Sequence, residues 1–247
     1  MSDATAARPD GRRRVGLLLP SSNVVIEELI GESGADAPWH GTAFHVARLR
    51  VDTISTDERS RRQFQDGVML RAADVLADAE IEAMVWAGTA GFWLGLEHDR
   101  ALSQRLSTAL RRPATTATLA FLAACRSRAA RRLAIVTPFL PAIGAKIAST
   151  LVREGFEVVS EAHFGVEQSR RMADLPAATV DAAIKAALAR EPDAIGCICT
   201  NMRVAASWFA PSPAAPVPII DTARASLAAG AELARQAQSP SSHQTGV

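Results

Sequence analysis

Along this chain, short apolar runs ending in Pro, Gly or Thr alternate with longer stretches whose apolar residues recur every three to four positions. That alternation is the pattern of βα units on a parallel sheet, because strands buried on both faces read as continuous apolar runs and the helices covering them need only one apolar stripe. Strands are predicted near residues 14–19, 43–51, 82–88, 114–118, 132–137, 155–163, 193–199 and 216–221. Helices are predicted at 23–33, 57–80, 94–111, 119–128, 140–154, 175–190, 201–209 and 222–236. The stretches Ala177 to Ala189 and Ala223 to Ala237 are rich in good helix formers and carry one apolar stripe each, as packing helices do.

The pattern repeats. Arg14-Val15-Gly16-Leu17-Leu18-Leu19-Pro20 matches Arg132-Leu133-Ala134-Ile135-Val136-Thr137-Pro138, and Ala83-Met84-Val85-Trp86-Ala87-Gly88-Thr89 matches Ala194-Ile195-Gly196-Cys197-Ile198-Cys199-Thr200. An acidic residue, Glu82 or Asp193, precedes each member of the second pair, and the two pairs keep nearly the same offset, as two copies of one unit joined head to tail would. The expected fold is therefore α/β, with two pseudo-symmetric flavodoxin-like lobes, each a four-stranded parallel sheet flanked by helices, and an active site in the cleft between them. The N-terminal lobe is read as 13–118 and the C-terminal lobe as 119–221, with helix 222–236 packing back on the first lobe. Residues 1–12 and 238–247, rich in Ser, Gln, Pro and charge, are expected to be a disordered leader and tail.

Composition narrows the function classes. With Lys+Arg 27 against Asp+Glu 26 in 247 residues, the net charge of +1 gives no field that draws the chain to nucleic acid or an anionic membrane. The apolar runs are strand-sized, and the leader with Arg8 and Arg12-Arg13-Arg14 has no apolar core, so no membrane partner and a cytoplasmic location are expected. Three cysteines without regular spacing argue against a disulfide framework, and Cys197-Ile198-Cys199 is one residue short of a thioredoxin-type pair. Tyrosine is absent, which removes any phenolic acid. Glu97, His98 and Asp99 do not share a helix face, and His40, His45, His163 and His243 are isolated, so no metal site is expected. Gly88 and Gly91 lack the Lys and Ser/Thr of a phosphate loop.

In parallel sheets, ligands bind beyond the carboxyl ends of the strands. The turns there are Pro20-Ser21-Ser22-Asn23, Gly88-Thr89-Ala90-Gly91, Thr137-Pro138-Phe139 and Cys199-Thr200-Asn201. At a helix start, orphan N–H groups and the helix dipole favour a carboxylate. Cys199, read as a thiol at a helix start, would have its thiolate stabilised and exchange a proton near neutral pH. Cys197, read as pointing the other way, and Cys125, in an Ala-rich helix, are assigned to the core. Asn23 either donates its amide to a substrate carboxylate or caps a helix. Thr89, Thr200 and Asn201 either hold a second carboxylate or an enediolate, or are plain caps, and Ser21 and Ser22 carry the same two readings. Trp86, Phe92 and Trp93 are either a cleft wall or core.

These turns resemble the maleate cis-trans isomerase family and its relative arylmalonate decarboxylase, within the aspartate/glutamate racemase superfamily. The resemblance runs from Arg14 to about Ala237; Val15 to Asn23 followed by Glu27, and Asp193-Ala194-Ile195 leading into Cys199-Thr200-Asn201, carry it. It implies no metal and no organic cofactor, a small mono- or dicarboxylic acid as substrate, and a cysteine ending the third strand of each lobe. Here Gly88 stands where maleate isomerases carry the first cysteine, as a glycine does in arylmalonate decarboxylase, and Phe139 replaces a family tyrosine. Ala90 stands where the decarboxylase has a serine, and Pro20-Ser21-Ser22 replaces its proline pair.

The expected function is that of a cofactor-independent enzyme in which the Cys199 thiol or thiolate acts at the carbon next to a carboxylate. Pro20, Ser21, Asn23, Gly88, Thr89, Ala90, Phe139, Thr200 and Asn201 are the expected substrate contacts. The alternatives are an arylmalonate-type decarboxylase that protonates a carbanion from one face, and a non-catalytic small-acid binding or accessory protein in catabolism such as ectoine utilisation. A second copy of the chain is left open as a partner.

Overall fold

The computed structural model describes residues 11–32, 34–209 and 217–237; most of the expected leader and all of the expected tail lie outside the described residues. The first half runs β1 (Arg13–Pro20), α1 (Val25–Glu32), β2 (Thr42–Leu49), α2 (Glu58–Arg62), α3 (Asp66–Asp74), β3 (Ala83–Trp86), α4 (Gly91–Leu94), α5 (Leu96–Leu110) and β4 (Ala114–Thr116). The second runs α6 (Ala117–Ser127), β5 (Arg132–Thr137), α7 (Pro141–Arg153), β6 (Glu157–His163), α8 (Ala177–Leu188), β7 (Ala194–Cys197), β8 (Ile219–Asp221) and α9 (Thr222–Gln236). Two four-stranded sheets result, ordered β2-β1-β3-β4 and β6-β5-β7-β8, with every pairing parallel. Val15 pairs with Ala83 as Leu133 pairs with Ala194, so the sequence repeat is a repeat of register.

The repeated acid has a structural cause. The Glu82 carboxylate accepts the Arg14 N–H at 2.8 Å, and the Asp193 carboxylate accepts the Arg131 and Arg132 N–H groups at 2.7 and 2.8 Å. Each acid thus ties the start of its lobe's third strand to the start of the first, and the two N–H bonds, backed by the neighbouring arginine charges, hold the Asp193 carboxyl below the usual carboxylate range.

Helix α9 leaves the second sheet and covers the first. Ala223, Leu227, Ala231 and Ala234 are buried in one cluster with Val15, Leu17, Leu19 and Val85. Gly230 lets the helix approach closely, because a Cβ there would meet Val85 Cγ2 at 2.8 Å and Val15 Cγ1 at 2.9 Å.

Three predicted helices differ. The stretch 57–80 is broken into α2, α3 and a 3₁₀ turn at Ala77–Ala79, because the Gln63 side chain turns back to accept from Asp52 N and donate to Thr53 O while Phe64 is buried. The stretch 94–111 begins earlier, as α4, and is interrupted at Gly95, whose φ of 112° belongs to the region that favours glycine. The helix predicted at 201–209 is only a 3₁₀ turn at Ala206–Trp208, with Asn201 drawn into contacts with the other lobe. Among the described residues no helix is long and apolar enough to cross a membrane, and no group of three or more His, Cys, Asp or Glu could hold a metal ion.

Candidate active site

A small cavity lies where the carboxyl ends of the two sheets face each other. Pro20, Gly88, Thr89, Ala90 and Phe139 line it, as do Cys199, Thr200 and Asn201. Ser21 and Asn23 do not. Ser21 is exposed and its hydroxyl accepts from Val51 N at 3.2 Å, holding the loop after β2.

Asn23 is fully buried and both ends of its amide are used. Its oxygen accepts from Ile26 N at 3.2 Å, capping α1, and its nitrogen donates to the Thr200 carbonyl at 3.0 Å and hydroxyl at 3.1 Å. The Thr200 hydroxyl donates on to Ala87 O at 2.9 Å. Asn201 accepts from Val24 N at 3.0 Å and donates to Ser169 O at 2.8 Å and Ser22 O at 3.3 Å, while the Ser22 hydroxyl donates to Ser169 Oγ at 2.8 Å. These side chains join the lobes: Asn23 caps α1 and reaches Thr200, and Asn201 ties Val24, Ser22 and Ser169 together.

Cys199 lies two residues past β7 and is 4% exposed. No helix begins behind it, which corrects the expected helix-start thiol. Burial pushes the thiol up to about 12; the Asn201 N–H, 3.3 Å from Sγ, pulls it back, and Asp221 pushes it further up. Cys197 ends β7 and does not line the cavity, and the Asp221 carboxyl bears on both thiols. Cys197 and Cys125 are fully buried, and burial raises both.

Gly88, which lines the same cavity as Cys199, has no positive φ. It is glycine because the Trp86 indole occupies the space where a Cβ would stand. Trp86 belongs to a ring cluster, with Phe64 at 6.3 Å edge to face, Phe64 at 6.3 Å from Trp93, and Trp93 at 5.1 Å from Phe139. Val51 and Ile54 complete the apolar wall, and Ser169 adds a hydroxyl. Phe92, by contrast, is core. Val51, Ile54, Phe64 and Ser169 carry no local sequence signal: Ile54 and Ser169 sit on loops that meet across the lobes, and Val51 and Phe64 are placed by Ser21 and Trp86, which lie far from them in sequence.

Among the described residues, no Arg, Lys or His lines the cavity. The backbone N–H groups of Gly88, Thr89 and Thr200 have no acceptor among the described residues. The free volume of about 20 Å³ holds a water molecule, whereas small-molecule sites span roughly 300–1,000 Å³. Two strands of loop shut it: Ile54 N donates to Glu167 O at 3.0 Å and Ser169 N to Asp52 O at 2.9 Å, pairing Thr53 with Gln168 in an antiparallel bridge.

Comparison with known proteins follows the same lines. A maleate isomerase of Nocardia farcinica is 29% identical over 198 residues, 76% of each chain. The maleate isomerase Iso of Pseudomonas putida S16 shares the fold with a TM-score of 0.77 at 24% identity, over 87% of this chain and 90% of that one. A mutant arylmalonate decarboxylase in its liganded form gives a TM-score of 0.79 at 18% identity, over 90% and 92%. The family model described as arylmalonate decarboxylase matches residues 30–245, nearly the whole of both lobes, and the chain belongs to that family.

Proposed function

We propose that this protein is a cofactor-independent enzyme acting on a small carboxylic acid, with Cys199 as the group that works at the carbon next to the carboxylate. The observation that carries this reading is that, among the described residues, Cys199 is the one thiol lining a cavity between the lobes to which no Arg, Lys or His contributes. The carboxylate is held by the backbone N–H groups of Gly88, Thr89 and Thr200, and Cys199 is positioned by its own N–H, which donates to Thr222 Oγ1 at 3.1 Å. As an isomerase, the thiolate adds to one alkene carbon; the former double bond, now single, rotates, and expulsion of the sulfur restores the alkene.

A second reading is favoured by Trp86. With its indole over Gly88 and four aromatic rings along the wall, the cavity suits an acid bearing an apolar or aryl group and offers a proton from one face only. Loss of CO2 from a substituted malonate leaves a carbanion; the Cys199 S–H bond breaks, the carbanion's electron pair forms the C–H bond, and the charge stays on sulfur.

The test is a proton NMR screen of maleate and substituted malonates in D2O with wild type and Cys199→Ser. Turnover or deuterium uptake by the wild type, reduced by roughly 10²-fold or more in Cys199→Ser with ligand binding kept, is the expected result. Equal rates in the two proteins would refute the assignment, and binding without any turnover would leave a binding protein.

A further inference from the structure

Asp221 ends β8 in register with Cys197 and is buried, 5% exposed. One carboxyl oxygen accepts from Arg224 N at 2.8 Å and caps α9. The other, Oδ2, is buried with no hydrogen-bond partner among the described residues. Next to it, the fully buried Thr222 hydroxyl accepts from Cys199 N at 3.1 Å and donates to Cys197 O at 3.4 Å, so the thiol-bearing turn is bolted to the same helix start that Asp221 caps.

We propose that Asp221 is a positioning residue for the reacting thiol: an ionised Asp221 opposes negative charge on Cys199, and a neutral Asp221 tolerates it. The inference rests on the reading of Cys199 given above. An orphaned buried oxygen is costly as part of a charge and much less so as part of a neutral carboxyl group. A thiolate at Cys199 adds a second negative charge in the same buried region, and like charges there disfavour each other.

The charged and titratable groups facing Asp221 come from two elements. From β7 and the turn after it come Cys197 and Cys199, both of which the carboxylate pushes up. From α9 comes Arg224, half buried, with its guanidinium 4.0 Å from the Phe209 ring centroid and 6.0 Å from that of Trp39; its charge also feels Glu32 at the end of α1. Arg224 favours the carboxylate, but burial outweighs it and raises Asp221 to about 7. When Cys199 gives its proton to carbon, a neutral Asp221 and the Asn201 N–H tolerate the sulfur charge; an ionised Asp221 opposes it.

The experiment compares wild type with Asp221→Asn, which keeps size and cap but has no charge, and with Asp221→Ser as a second capping variant. Iodoacetamide modification of Cys199 is followed across pH by peptide mass spectrometry, with Cys125 as internal control. Because the chain has no tyrosine, thiolate absorbance can be followed alongside without interference from tyrosinate. The expected result is an apparent Cys199 pKa lower by about one unit in both variants, a tenfold gain in thiolate at fixed pH. A capping role alone would move nothing, because all three residues cap. Unchanged Cys199 profiles in a variant that melts like the wild type would overturn the proposal. A shifted profile in a protein that turns over no acid would uphold it while removing the enzymatic reading.

Discussion

The Trp86 indole lies over the Cα of Gly88, in the volume that any side chain at 88 would need. The two residues sit on one face of the chain leaving β3, and the tryptophan is 1% exposed. The single thiol of the cavity is therefore a packing relationship as much as a missing residue.

Gly88→Cys alone should lower the melting temperature, since overpacking a buried site costs about 1–3 kcal/mol. Gly88→Cys combined with Trp86→Leu should recover much of that loss and place a second thiol across from Cys199. Deuterium exchange or cis-trans isomerisation on an acid that the wild type binds should then rise. A well-folded double variant with no gain would show that the two positions do not share a reacting carbon.

The Thr53–Gln168 bridge offers a lock. Its flanking hydrogen bonds make this a non-hydrogen-bonded antiparallel pair, for which Cα atoms lie about 4.5 Å apart, within the range of a disulfide. Thr53→Cys with Gln168→Cys should give an oxidised protein that excludes substrate and a reduced one that regains activity. Equal turnover in both redox states would mean that the acid enters by another route.

Asp99 sets a pH dependence of stability. It is 1% exposed, accepts from the Thr116 hydroxyl and packs against Gly91, and burial raises it to about 7 against the pull of Thr116 and Arg100. The folded state thus keeps a proton that the unfolded chain, with an ordinary carboxyl near 3.8, has lost, and stability falls as pH rises from about 4 to about 7. Asp99→Asn should reduce the difference in urea stability between acid and neutral pH by on the order of 1–3 kcal/mol. An unchanged pH slope would mean that the carboxylate is accommodated after all.

All eight strands were legible, most plainly β1, β3, β5 and β7, which are buried apolar runs, whereas the edge strands β2 and β6 mix polar and apolar residues; the duplication marked the turns after β3 and β7 as equivalent. That reasoning found Gly88, Thr89, Cys199 and Thr200. It could not find Ile54 or Ser169, which reach the cavity from loops paired across the lobes, or Val51, whose loop is held by Ser21. The same non-locality misled the reading of 201–209: Asn201 looks like a helix start, but its amide is spent on Val24, Ser22 and Ser169. The raised Cys199 thiol was equally out of reach, since burial is a property of the packed lobes and not of the Cys-Thr-Asn turn.

The crossing of α9 from one sheet to the other ties the halves together in time as well as in space. Val15, Leu17, Leu19 and Val85 are translated long before the helix that buries them, and of the flanking helices in their own lobe only α1 shares that face. The nascent first lobe therefore waits with an apolar face unfinished while the second is made, the stage at which a chain is most exposed to aggregation or to a chaperone. A ribosome stalled just short of Thr222 would hold every residue from 13 to 118 and still not a completed lobe.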